Sequence, residues 1–394
     1  TGIALMNSQT NSQTEPFEHW LRQTIEETGP MTVAEFIGHA LYNPRYGYYT
    51  GGPNIGPRGD FVTSPEASPA FGKLLATHVA EADALLSSPS LMHVIECGPG
   101  IGTLARDLLD ELHSSFPEIY GRMCYWLVEI SPALAQTQRE VLLSEHAEVV
   151  KWCASLEELP RGLPGAVIAN ELVDAFPVHV LENRDGHILE QFVHLNPEGH
   201  LGLELLPVSD ADLHTFVAEE AILLQPGDRI EVNLLAEKWL ADLYSVLDEG
   251  VTLLIDYGDE APARYSQARR EGTLLAYYSG GVTESILSHP GKQDITALVD
   301  FTALQNAARR TGFDVLGITR QASFLLGLGL GTTHTVESAT GTNFDGAIKY
   351  RQGLQTLISM EGLGRFHVLL LSKGLKPEEA RARLSGLKYS GYLA

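Results

Sequence analysis

The stretch VIECGPGIGTLARDLL, residues 94–109, decides the fold. A short apolar run leads into three glycines, Gly98, Gly100 and Gly102, and then into a segment whose apolar positions recur at helical spacing. A strand, a bare turn and a helix N-terminus form a cradle for a polar or anionic ligand, because unpaired backbone N–H groups converge there. Two familiar occupants fit poorly. A P-loop needs a lysine followed by serine or threonine after its last glycine, and this chain has Thr103-Leu104. The dinucleotide fingerprint G-x-G-x-x-G, begun at Gly98, would need a glycine where Thr103 stands.

Working outward, strands are expected at 92–97, 124–129, 148–153, 166–170 and 251–256, with helices after most of them. That alternation implies a parallel sheet covered on both faces. Ligands of open α/β sheets lie beyond the carboxyl ends of the strands. Polar groups stand at four of those ends: Glu96; Glu129 in YWLVEISP; Asn170 and Glu171 in VIANELVDAFPVHV, with Asp174 just beyond; and Asp256 in LLIDYG. Glu129 is placed to accept both ribose hydroxyls of an adenosine, a device that NAD enzymes share, or to cap the helix begun by Ser131-Pro132. Asp174 either faces a substrate or braces the turn before Pro177.

The chain reads as a polar arm (1–16), helices and a loop (17–90), and the first half of the sheet domain (91–177). An antiparallel β insertion (178–230), the second half of the sheet (231–320), a helical insertion (321–364) and a final strand with a tail (365–394) follow. Residues 43–66 hold five glycines and four prolines without a sustained period, the mark of a functional or disordered loop. Its aromatics, Tyr46, Tyr48, Tyr49 and Phe61, argue for order. Pro69, after Ser68, is expected to take the first position of a helix. In the β insertion, HVLENRDGHILEQFVHL and GHLGLELLPV read as antiparallel strands joined by NPEG.

A net charge of −23 argues against nucleic acid and anionic membrane as partners. No apolar run approaches the ~18–20 residues of a membrane span. The fourteen histidines show no H-x-x-x-H spacing, so no metal is expected. Cys97, Cys124 and Cys153 lack C-x-x-C spacing and read as reduced, buried thiols. With no leader pattern at the start of the sequence, the expected setting is a bacterial cytoplasm.

Glu96 to Gly102 spell E-x-G-x-G-x-G, which resembles the first motif of Rossmann-like S-adenosyl-L-methionine (SAM) methyltransferases. The chain after about residue 28 resembles the MidA-like family, which includes a mitochondrial complex I assembly methyltransferase. The blocks that carry the likeness include GPMTVAEFIGHALYNPRYGYY, GDFVTSPEASPAFG, ECGPGIGTLARDLL, EISPALAQTQREVL, ANELVDAFPV, LIDYG, HPGKQDITALVDFTAL and QASFLLGLGL, in that order. The resemblance implies a class I methyltransferase sheet, mostly parallel with an antiparallel last strand, under an N-terminal helical and loop lid. It implies SAM as cofactor with S-adenosyl-L-homocysteine (SAH) as product, no metal, and methylation of protein arginine. A respiratory complex subunit would be the protein substrate, and a homodimer is compatible with the pattern.

Carried over by position, Glu96, Gly98, Gly100 and Gly102 would line the methionine end of SAM and Glu129 its ribose. Gly59, Asp60, Phe61 and Thr63 would form a lid segment over the cofactor, and Asn170, Glu171 and Asp174 would stand on the substrate side. Three positions depart from the family pattern. Cys97 replaces a leucine, Ile101 an arginine, and Val173 an aromatic, the last of these where the acceptor would lie.

Methyl transfer leaves the protein chiefly the task of holding acceptor and methyl carbon ~3–3.5 Å apart and aligned. A guanidinium acceptor also needs anions for its planar fork, and Glu171, Asp174 and Asp256 are the candidates. Glu171 is given the main orienting role and Asn170 a hydrogen bond beside the methyl; one of the acids, or water, takes the released proton. Asp294, Thr296 and Asp300 are expected to shape the acceptor groove, and Arg309 and Arg310 to form a solvated face. A small-molecule methyltransferase and a SAM-binding assembly factor remain open alternatives on the same fold. An NAD-dependent dehydrogenase is disfavoured by Thr103.

Overall fold

The computed structural model describes residues 16–51, 63–283, 285–331 and 344–391. Its main sheet has seven strands, numbered here in chain order: β1 Met92–Cys97, β2 Met123–Val128, β3 Val150–Cys153, β4 Leu163–Asn170, β5 Leu247–Asp256, β6 Asp314–Arg320 and β7 His367–Lys373. They lie in the order β6-β7-β5-β4-β1-β2-β3. β1 to β5 run parallel, and β7 is antiparallel to both β5 and β6. The chain thus builds outward from β1 in one direction and from β4 in the other. The crevice that binds ligands in open sheets falls at the carboxyl ends of those two strands.

Every residue of β1 is buried, as a central strand covered on both faces requires. Its successive side chains feed different cores. Val94 joins Leu74, Leu108 and Tyr125 on one face, while Ile95 joins Val167, Leu240 and Phe301 on the other. Each such side chain contributes about 1.5–3 kcal/mol by leaving water. The helices that supply these partners are Ala70–Leu85 and Thr103–Ser115 on the first face, Leu234–Val246 and Phe301–Thr311 on the second.

The expected β insertion forms, with additions. His179–Arg184 and His187–Leu195 make a hairpin through Asp185 and Gly186, whose positive φ values (52° and 89°) suit the right-handed twist of paired strands. NPEG then turns the chain into Leu201–Pro207. Arg229–Val232 pairs with the hairpin's first strand, and a helix, Ala211–Glu219, lies within the insertion. Met31–Thr32 also joins this sheet, against Phe192 and Val193. That pairing splits the 17–42 helical pattern into Pro16–Thr28 and Val33–Tyr42, with Gly29 (φ 89°) as the stop. Thr32 restarts the helix through a capping box with Glu35.

One local reading needs correction. Pro69 sits one position earlier than expected, as the cap of Ala70–Leu85, because Ser68 Oγ accepts the Ala70 N–H at 3.3 Å. Arg309 and Arg310 are exposed, and on that face Arg310 pairs with Glu220 (3.1 Å) and Glu237 (2.8 Å), joining the β insertion to helix Leu234–Val246. The helix Phe301–Thr311 stops at Gly312, with φ 111°. A Cβ there would lie 3.0 Å from the Tyr244 ring. Gly312→Ala is therefore expected to lower the unfolding free energy by about 1–2 kcal/mol, read as a lower urea midpoint.

Candidate active site

A cavity of about 810 Å³ opens at the carboxyl ends of β1, β2 and β4. The three glycines of the turn after β1 all adopt left-handed φ (70°, 55° and 87° for Gly98, Gly100 and Gly102), but each for its own reason. A Cβ on Gly98 would meet Leu172 Cδ1 at 2.9 Å, and one on Gly102 would touch Gln138 Cγ at 3.4 Å. A Cβ on Gly100 would meet nothing within 4 Å. Gly98 is short of space as well as left-handed, Gly102 is a glycine for its φ of 87° with Gln138 in ordinary contact, and Gly100 keeps the cavity wall bare.

Glu96 and Glu129 flank this turn. Glu96 is 2% exposed, accepts the Tyr125 hydroxyl at 2.7 Å, and is pushed up to about 7 by burial, with Glu129 adding to the effect. Glu129 accepts the Ser131 N–H at 2.7 Å and the Gln138 amide at 3.0 Å, and burial raises it too. Gln138 is the residue that sequence reading missed. Wholly buried, it also donates to the Gly100 carbonyl at 2.8 Å and accepts Trp152 Nε1–H at 3.0 Å. It thereby fixes turn and acid together. Its signal was a glutamine at a core position, one turn from Leu134 and Leu142.

At the end of β4, Glu171 takes φ 52°, costly for a residue with a side chain, and its N–H donates to the Ile255 carbonyl at 2.8 Å. That conformation turns its carboxylate into the cavity, where Oε1 accepts the Ser64 N–H and Asn170 Nδ2, both at 3.0 Å. Burial, then Asp174, pushes Glu171 up to about 7. Asn170 Oδ1 and Asp174 Oδ1 are buried with no hydrogen-bond partner among the described residues. The other Asp174 oxygen accepts Thr296 Oγ1 at 2.9 Å, and burial lifts this acid to about 6. Beyond it the cavity is walled by Tyr42, Tyr49, Tyr257, Tyr277, Asp294 and Thr296.

Asp256 does not join them. One of its oxygens accepts the N–H groups of Val173 (2.9 Å) and Asp174 (3.2 Å), and the other that of Tyr257 (2.8 Å). It lies behind the cavity wall and braces the turn that presents Asp174. Asp300 is likewise structural, capping helix Phe301–Thr311 through the N–H groups of Thr302 and Ala303 and accepting the Tyr265 hydroxyl. Thr63 reaches the cavity at its rim, while Gly59, Asp60 and Phe61 lie outside the described residues. All three cysteines are buried and free, and Cys97 touches the cavity. Among the described residues, Asp110, Glu145 and His146 bring possible metal ligands together; none of the three lines the cavity.

The cavity wall fits an adenosyl sulfonium by its own chemistry. Buried acids at the β1 and β2 ends suit a cation and a ribose, and the bare Gly100 leaves room for the body of the molecule. Gly100→Val is expected to abolish SAM binding and, through a β-branched side chain at φ 55°, to lower stability by about 1–2 kcal/mol. Gly98→Ala is expected to destabilise the fold through Leu172; differential scanning fluorimetry with and without SAM separates the two. A second expectation concerns charge. The folded state holds the Glu171 proton up to about pH 7, whereas an unfolded glutamate loses it near its ordinary value of 4.5. The stability that the raised value contributes is full below about 4.5 and is lost as pH rises through about 7. Glu171→Gln, which cannot ionise, is therefore expected to gain stability relative to the parent between pH 5 and pH 8. Urea titrations at both pH values measure this.

Comparison with known proteins places these features. Residues 74–319 match the model of a family described as S-adenosyl-L-methionine-dependent methyltransferases. A crystal structure of a Burkholderia thailandensis protein bound to S-adenosyl-homocysteine superposes with a TM-score of 0.82 at 29% identity, covering 95% of this chain and 96% of that one. The mitochondrial protein arginine methyltransferase NDUFAF7 of Danio rerio is 30% identical over 336 residues, 79% of this chain and 76% of the relative. The Homo sapiens protein of the same name is 27% identical over 351 residues, 82% of this chain and 76% of the relative. These relatives are mitochondrial by name, so the expectation of a cytoplasmic protein is corrected: the family has mitochondrial members, and the lack of a leader pattern here does not assign a compartment. The match over well over half of its 394 residues makes this chain a member of that family of SAM-dependent methyltransferases, with SAM as its methyl donor.

Proposed function

We propose that the chain methylates an arginine side chain of a protein, with a subunit of a respiratory assembly as the substrate class. The observation that carries this reading is the acceptor end of the cavity. Glu171 and Asp174 line it, and Asp174 Oδ1 and Asn170 Oδ1 beside them are buried without a hydrogen-bond partner among the described residues. Such acceptors are costly when nothing donates to them, and a guanidinium brings five donors in one plane. The names of the mitochondrial relatives support the same acceptor.

When bound, SAM supplies an electrophilic methyl group on a sulfonium. Glu96 and the three glycines hold its methionine part, Glu129 its ribose, and Thr63 stands at the rim beside it. Glu171 and Asn170 aim the acceptor nitrogen. Because burial raises Glu171 to about 7, an arriving cation favours its ionised form, the proton leaving to solvent, and is oriented by it. As the nitrogen gains its methyl it gives up a proton. Asp174 Oδ1 takes that proton while Thr296 fixes the other oxygen, and a value of about 6 suits a base working near neutrality. The product guanidinium then remains a cation and the spent donor is a neutral thioether.

The test is to incubate the protein with methyl-labelled SAM and cell extract and to locate the label by mass spectrometry. Label on arginine of one polypeptide is the expected result; label on a metabolite, or none at all, contradicts it. Glu171→Gln is expected to lower kcat by about 10²–10³ with SAM affinity within a few-fold of the parent.

A further inference from the structure

The acceptor chamber has a third acid beside Glu171 and Asp174, namely Asp294, and its surroundings give it a role. Asp294 is 5% exposed and comes from a strand, Asp294–Thr296, on a different element from Asp174. It accepts the Tyr49 hydroxyl at 2.8 Å. Tyr49 is itself held at two other points. Its N–H donates to the Leu41 carbonyl at 3.0 Å, and its carbonyl accepts Ser131 Oγ at 2.9 Å. Ser131, wholly buried, donates its N–H to Glu129 Oε1 at 2.7 Å. A continuous series of hydrogen bonds therefore runs from the ribose acid to the acceptor chamber: Glu129, Ser131, Tyr49, Asp294. The Tyr49 ring is fixed independently of its hydroxyl, stacked on Tyr42 at 5.6 Å and edge-on to Tyr48 at 5.1 Å.

We propose that Asp294 is a specificity-determining carboxylate for the acceptor and that Tyr49 is the residue positioning it, through a path that starts at the cofactor acid Glu129. The inference rests on the arginine reading above. Asp174, held by Thr296 Oγ1 at 2.9 Å, and Asp294, two residues before Thr296 on the same strand, line the chamber as neighbouring carboxylates, which suits a planar fork with donors on several edges. A compact ammonium would engage one of them. The series holds Asp294 in place before any acceptor arrives, so the acceptor does not have to order it.

A mutant cycle on the full chain tests this, using Tyr49→Phe, Asp294→Asn, Ser131→Ala and the two doubles that include Tyr49→Phe. Three quantities are read: SAH affinity by calorimetry, binding of N-acetylarginine amide to the SAH-loaded protein, and KM against kcat for whichever acceptor takes label from extract. Each single variant is expected to weaken the arginine probe and raise acceptor KM about tenfold, as loss of a hydrogen bond to a charged group does. SAH affinity is expected to stay within about threefold and kcat to change less than KM. Both doubles are expected to be no worse than their worse single, since the path is already cut. Losses that multiply in the doubles, or SAH affinity that falls as far as acceptor binding does, overturn the path. If Asp294→Asn unfolds, the Ser131 and Tyr49 pair decides alone, because Tyr49→Phe keeps the stacked ring. Label on a non-arginine acceptor with non-additive doubles on its KM overturns the arginine reading and leaves the path standing.

Discussion

The structure depends on taking carboxyl groups out of water at the ends of three neighbouring strands. Burying a charge in a medium of low polarity is costly unless something compensates it, and here the compensation is partial. Glu96 has one phenol, Glu129 one N–H and one amide, and Glu171 one N–H and one amide on a single oxygen. These donors hold the acids in place without satisfying them. The site is thus poised for cations, and the unfilled part of its electrostatics is supplied by a ligand.

That arrangement is possible because the rest of the molecule is conventional. β1 and β4 are buried on both faces by aliphatic cores, so their ends are held to the precision that methyl transfer demands. Asp256 then uses its three backbone contacts to set the turn at 173–174, and Gln138 does the same for the turn at Gly100. Polar residues outside the cavity lining thus set the geometry of those within it. The acceptor wall is assembled differently, from the helix Val33–Tyr42, the 43–50 turn and the strand Asp294–Thr296, none of which belongs to the main sheet. A shared fold for cofactor and a separate set of elements for acceptor is how one sheet serves many substrates.

The strand Asp314–Arg320 and the order of strands came from the tertiary structure, whereas the sequence alone determined the parallel strands of the sheet and the polar groups at their carboxyl ends. Those features are written locally: an apolar run, three glycines within five residues, and an acid at each of two strand ends. Periodicity and spacing report on neighbours along the chain, so they locate Glu96, Glu129, Asn170 and Glu171 without any coordinates. They also assigned Asp256 and Asp300 to the acceptor, and tertiary structure alone decided otherwise. A carboxylate at a strand end can face a cavity or turn back to bind N–H groups, and only the packing of residues 173–174 and 301–303 selects between those outcomes. Tertiary structure also separated the three glycines, which look alike in sequence but face Leu172, open space and Gln138. It likewise brought Tyr49 within hydrogen-bonding distance of Asp294, 245 positions away, a contact that no local pattern encodes.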